Sequence, residues 1–447
     1  MSTSTKEIVF PDGFFWGVAS SSHQIEGAWN DDGKGESIWD RFSHTPGNVA
    51  NGDAGDVACD HYHRYLEDVT LLKELGVKVY RFSTSWPRVL PEGKGEANRA
   101  GLDFYSRLVD EVLKAGIEPV VCLYHWDLPQ KLQDEKGWAN RNIVQYFADY
   151  AELMARELGD RVKRWVILNE PRCIAWLGHL YGVHAPGMKN LEVALKVSHH
   201  LMLAQGKTVQ VLRDVSHDFQ IGTVVDLNAF HPISDDKKNQ EAASKLEELW
   251  NRWFTDPIFN GEYPPLAETV GMKTSRDDAD LIKQQLDFLG VNYYTRQLVA
   301  HDQSDSLTGA KVVKKKTPVT EMGWEIYPQG LYEVLTRLRK EYDNPTLYVT
   351  ENGVAFEDNV TKEGKVQDDD RIAFLRDHIA TVHQAIRDGV KVKGYFVWTN
   401  MDNFEWAEGY SKRFGLIHTN YETLERTPKK SFYWYKQVIA NNGFAYP

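Results

Sequence analysis

Cysteine is scarce: Cys59, Cys122 and Cys173 are the only three, widely spaced and without a CxxC pair. That excludes a disulfide framework and a structural zinc site built on paired thiolates, and it suits reduced thiols in a cytoplasm. Basic charge is in deficit, with 52 Lys and Arg against 64 Asp and Glu for a formal net charge of −12. Such a surface repels nucleic acid and anionic lipid, so neither is an expected partner, and the one basic run, Lys314-Lys315-Lys316, reads as a solvated loop. No window approaches the length of a membrane span, and Met1 to Glu7 lacks the basic start and apolar stretch of a secretion signal. A cytoplasmic protein is expected. No repeat, low-complexity tract or linker interrupts the chain, so residues 1–447 read as one domain.

Hydrophobic residues, at 42%, suffice for a large core. Eight apolar runs recur along the chain: Phe14 to Ala19, Val77 to Phe82, Pro119 to Tyr124, Trp165 to Leu168, Ile221 to Val225, Phe288 to Tyr293, Pro345 to Thr350 and Val392 to Trp398. Amphipathic stretches alternate with them, among them Tyr62 to Leu75, Leu102 to Ala115, Asn142 to Leu158, Leu191 to Arg213, Pro328 to Tyr342 and Asp370 to Asp388. Gly76, Gly116, Gly159 and Gly389 follow four of these as C-caps would. Eight strand-then-helix units of uniform composition predict an α/β fold, a single (β/α)8 (TIM) barrel, with long loops at 29–60, 226–287 and 301–328 as walls or lids.

In such a barrel ligands are handled where strands end. The first run leads into Ser22-His23-Gln24-Ile25-Glu26, the second carries Arg81, the third ends in His125-Trp126-Asp127 and the fourth in Asn169-Glu170. The sixth delivers Asn292 and Tyr294, the seventh Glu351-Asn352, and the eighth Trp398 followed by Asp402-Asn403-Phe404-Glu405-Trp406. Amides, an imidazole, carboxylates and indoles on one mouth suit a neutral polyhydroxylated ligand and suit a phosphate poorly. Taken singly, His125 and Arg81 read as a bonded core residue and a counter-ion, and Trp398 and Trp406 as core fillers; a buried carboxylate is costlier to leave unused. Two facing carboxyls are the minimum equipment for cleaving a glycosidic bond.

These residues resemble glycoside hydrolase family 1, the retaining β-glucosidases and their relatives, over nearly the whole chain. The carriers are Phe14-Phe15-Trp16-Gly17, Gln24-Ile25-Glu26-Gly27, Tyr80-Arg81-Phe82-Ser83, His125-Trp126-Asp127-Leu128-Pro129, Asn169-Glu170-Pro171, His184-Ala185-Pro186-Gly187, Asn292-Tyr293-Tyr294, Thr350-Glu351-Asn352-Gly353 and Met401-Asp402-Asn403-Phe404-Glu405-Trp406. The resemblance implies Glu170 as acid/base and Glu351 as nucleophile, about 5–5.5 Å apart, with Arg81 and Tyr294 holding Glu351 charged. It implies a sugar held by Gln24, His125, Asn169, Asn292, Tyr294, Glu405 and Trp406, Trp398 as stacking floor and Trp324 towards the aglycone. Substrates would be small β-glycosides and cello-oligosaccharides, in a cellulose-degrading role, with no metal or other cofactor called for.

The chain departs from the family at Arg172, where Trp is common, at His179, where an aromatic is usual, and at Thr399-Asn400 in place of Ser-Leu. Lys412 resembles the basic pattern of relatives that cleave 6-phosphoglycosides, but Phe414 replaces the accompanying tyrosine, and the acid at Glu405 would repel a phosphate. A 6-phospho-β-glycosidase, a cleft-type cellulase or xylanase, a non-catalytic sugar binder and a metal-dependent barrel enzyme are the rival readings.

Overall fold

The computed structural model describes residues 6–314 and 317–446, so Lys315 and Lys316 of the basic run, and the first five residues of the N-terminus, lie outside the described residues. All eight apolar runs become parallel strands: β1 (Phe15–Ala19), β2 (Val79–Ser83), β3 (Glu118–Tyr124), β4 (Arg164–Asn169), β5 (Gln220–Asp226), β6 (Phe288–Asn292), β7 (Leu347–Asn352) and β8 (Val392–Trp398). They pair in chain order and close, β8 on β1, into one barrel. Helices His61–Leu75, Arg99–Lys114, Ile143–Leu158, Leu191–Val215, Pro328–Glu341, Asp369–Arg387 and Lys430–Asn441 surround it.

Residues from every strand fill the lumen. Val79, Val120, Cys122, Val166, Val224, Phe288, Tyr348 and Phe396 form a buried cluster of their own, with Phe15 packed against it and the Arg164 guanidinium over the Phe15 and Tyr348 rings. This plug closes the barrel below the site, as period-two alternation in a barrel requires.

Gly76, Gly116 and Gly389 take positive φ (83°, 79° and 90°), as C-caps do. Gly159 does not: its φ is −71°. It is glycine for space, since a Cβ there would stand 2.3 Å from the Ala155 carbonyl oxygen and 2.6 Å from the Phe219 ring. The stretch 226–287 is not a loop but largely helix, Lys237–Glu247, Trp253–Asn260 and Arg276–Ile282. Ala229–Pro232, Arg296–His301 and Ala310–Val312 form a small sheet beside the mouth. These strands are too short and too polar to show as apolar alternation. Among the described residues no helix is long and apolar enough to cross a membrane.

Candidate active site

Strict alternation from the lumen residues Val166 and Tyr348 would turn Asn169 and Glu351 outward. Instead the β4 ladder shifts register between Val166 and Asn169, and the β7 ladder between Val349 and Glu351. Each irregularity re-aims the strand end as a bulge does, and both side chains meet Arg81 inside the barrel. Arg81 Nη1 donates to Glu351 Oε1 at 2.6 Å and Nη2 to Asn169 Oδ1 at 2.5 Å, while Tyr294 Oη donates to Glu351 Oε2 at 2.8 Å.

Glu170 follows β4 with a left-handed backbone, φ 52°, a conformation a non-glycine residue holds only when its surroundings impose it. Asn292 Nδ2 donates to its Oε1 at 2.7 Å and the Cys173 thiol to its Oε2 at 3.2 Å. Burial pushes both carboxyls up, and their neighbours then separate them. For Glu170 the Asp226 and Glu351 charges add to burial, against Asn292 and Arg172, and hold it well above the ordinary carboxylate range. For Glu351 burial is opposed by the Arg81 guanidinium, the Tyr294 hydroxyl and the Asn292 amide. Both carboxyls stay above the ordinary range, Glu170 well above it, Glu351 held back by its three donors.

Both carboxylates open onto a cavity of about 290 Å³ at the C-terminal ends of the strands. His125, Asn292, Tyr294, Trp324, Trp398, Glu405 and Trp406 also line it. His125 lies nearly parallel to Trp398 and Trp406, with centroids 5.7 and 5.9 Å away. Asn169 Oδ1 accepts from both Arg81 and Asn292, so its Nδ2 is the donor to His125 Nε2 at 3.0 Å. The neutral imidazole, its pKa pushed far down by burial and Arg81, therefore carries its proton on Nδ1, which has no protein partner. Burial, with the charges of Glu351 and Glu408, pushes Glu405 up to about 8 against the hydrogen bonds from Gln24 and Trp398.

Arg81, Asn169 and Gln24 do not line the cavity. Each is fully buried behind it, bonded to a residue that does; Gln24 Nε2 reaches Glu405 Oε2 at 3.4 Å. Other polar residues near the strand ends turn away altogether. Glu26 pairs with Arg88 at 2.8 Å, Asp127 accepts from Ser22 at 3.1 Å, and Asp402 bridges Lys429 and Arg413 at 2.6 and 2.8 Å. Phe414 lines the cavity and packs on Tyr294 and Trp324. His179 is buried, bonded to the Ile174 carbonyl, and pushed down to about 4 by burial. Thr399 Oγ1 donates to the Ala19 carbonyl at 2.6 Å, and Asn400 Nδ2 is buried without a partner.

The sequence reading missed Cys173, His184, Asp226 and Trp250 on the wall. Asp226 was within reach of its own rule, because it ends β5. Glu170, Cys173 and Asp226 place ligand atoms within 4.8 Å of one another, a donor set that could hold a metal ion. The Arg172 guanidinium, its Nε 2.5 Å from Asp226 Oδ2, already supplies the positive charge there.

The sequence profile described as glycosyl hydrolase family 1 matches residues 6–444. The chain is 50% identical over 446 residues to a β-glucosidase A of Acetivibrio thermocellus, covering 98% of this chain and 100% of that one. It is 44% identical to a bifunctional β-D-glucosidase/β-D-fucosidase of Bifidobacterium breve, covering 97% and 99%. A solved β-glucosidase of Thermotoga maritima in complex with glucoimidazole superposes with a TM-score of 0.95 at 48% identity, covering 98% of this chain and 100% of that one. The barrel, the site at its mouth and the match along its length agree: the chain belongs to glycosyl hydrolase family 1.

Proposed function

We propose that this protein is a retaining β-glycosidase that releases terminal non-reducing β-D-glucosyl residues from small β-glycosides and cello-oligosaccharides. The observation that carries the reading is the unequal company of two buried carboxyls, Glu351 beside Arg81 and Tyr294 and Glu170 beside Asp226. Glu351 attacks the anomeric carbon while Glu170 passes its proton to the glycosidic oxygen, so the C–O bond breaks as the glycosyl ester forms. Esterification removes the charge on Glu351, Glu170 becomes easier to ionise, and it then takes a proton from the water that displaces Glu351. A separation of about 5–5.5 Å between the carboxyls belongs to this reading.

His125 Nδ1–H and Glu405 supply a donor and an acceptor for sugar hydroxyls, and Trp398 and Trp406 cover a C–H face. The likeness to the bifunctional β-D-glucosidase/β-D-fucosidase of Bifidobacterium breve supports fucoside as a second glycone. Glu405 and Phe414 on the wall disfavour the phosphoglycoside alternative. We read residues 1–447 as one catalytic domain, and three buried free cysteines suit a cytoplasmic setting.

Proton NMR of a phenyl β-glucoside digest in its first seconds tests the reaction. β-Glucose appearing before mutarotation is the expected result; α-glucose would refute Glu351 as nucleophile, and no turnover would favour the sugar-binding alternative.

A further inference from the structure

The ion pair beside Glu170 has no part in the double displacement as described. Asp226 ends β5 and is buried; its Oδ2 accepts from Arg172 Nε at 2.5 Å, and its Oδ1 has no partner. Arg172 is itself buried, its guanidinium 4.4 Å from the centre of the Trp250 ring. Cys173 Sγ lies 3.2 Å from Glu170 Oε2 and 4.0 Å from Asp226 Oδ2, and the three groups fall within 4.8 Å. A second buried carboxyl thus stands against the acid/base; burial pushes its own pKa up, and the charge and hydrogen bond of its one counter-ion, Arg172, pull it back towards the ionised form.

On the assignment of Glu170 as acid/base, we propose that Asp226 is a positioning residue that keeps the proton on Glu170 in the free enzyme, and that Arg172 is the counterweight that allows the same carboxyl to ionise later. A like charge within 4.8 Å of a buried carboxyl disfavours its ionisation, and a guanidinium favours it. The groups facing Glu170 are Asp226 from β5, Glu351 from β7, Asn292 and Tyr294 from the end of β6, and Arg172 and Cys173 from its own turn. Asp226 and Glu351 push its pKa up, while Arg172 and Asn292 pull it down. Cys173 stays a thiol, because burial and both carboxylates oppose its ionisation. The departure at Arg172 is then explained: the charge that replaces an indole balances Asp226.

The test is the pH profile of kcat/KM on phenyl β-glucoside, whose poor leaving group needs a proton, so that the alkaline limb reports the acid of the free enzyme. Asp226→Asn is nearly isosteric and keeps an acceptor for Arg172. It is expected to move the alkaline limb to lower pH, with a several-fold loss on that flank. Arg172→Gln is expected to move the limb the other way. An unmoved limb in Asp226→Asn, or limbs that move in the same direction, overturns the proposal, because damage to packing has no sign. Glu170→Gln separates the two failures. If the limb survives in that variant, Glu170 is not the acid and the proposed function falls with this one; if it vanishes while Asp226→Asn leaves it in place, only the role of Asp226 is lost.

Discussion

Glu351 sits between a guanidinium and a phenol, and Glu170 between two carboxyls, so the same substitution should have different consequences at the two positions. Glu170→Gln is expected to lower kcat/KM about 10²–10⁴-fold on phenyl β-glucoside, yet far less on dinitrophenyl β-glucoside, whose leaving group needs no proton. Glu351→Gln should abolish turnover of both, and steady-state rates on the pair check it. At Glu405 the sign can be worked out for stability. Its folded pKa is raised from 4.5 to about 8, so the folded state is favoured below 4.5 and loses that advantage as pH rises to about 8. Glu405→Gln carries no such cost, so the melting temperature of the variant minus that of the parent should climb across this window, while turnover falls; a flat difference would sink the account. Glu170 and Glu351 were legible because they end apolar runs, and Glu405 because it lies in the segment that follows one. Their protonation was not, because it depends on Asp226 and Arg81, which no local pattern connects to them.

At the scale of the element, the bulges in β4 and β7 are the decisive features, for they bring Asn169 and Glu351 onto Arg81. Alternation in the sequence points the other way, and only the ladder with neighbouring strands shows the shift. Gly353, just beyond β7, belongs to the same corner: a Cβ there would lie 1.8 Å from the Trp398 carbonyl oxygen. Gly353→Ala should therefore push the end of β8 away, cost about 1–3 kcal/mol of stability as overpacking does, and raise KM through displacement of Trp398. Urea unfolding and KM measured together check it; a stability loss without a change in KM would show that the indole does not move. Gly159 teaches the same lesson, since the letter marks the end of a helix correctly while its reason is the Phe219 ring.

Across the whole molecule the two ends of the chain meet. Lys6–Val9 pairs antiparallel with Gly443–Tyr446, and Trp16 Nε1 donates to Asn442 Oδ1 at 2.9 Å, at the entry to β1 and so away from the mouth. Removing residues 443–447 should lower the melting temperature by several degrees and leave kcat on phenyl β-glucoside unchanged; a matching fall in kcat would show that the closure reaches the site. The sequence by itself determined the eight strands, most of their helices, their order and the chemistry at their ends, because apolar periodicity and glycine punctuation act within a few residues. Only the tertiary structure decided which polar side chains face the cavity and which pair behind it, as Glu26, Asp127 and Asp402 do. It alone set unequal company around the two glutamates, so that Glu170 is held further above the ordinary carboxylate range. Arg81 and Glu351 are 270 residues apart in the chain and 2.6 Å apart in the barrel, and charge responds to the second distance.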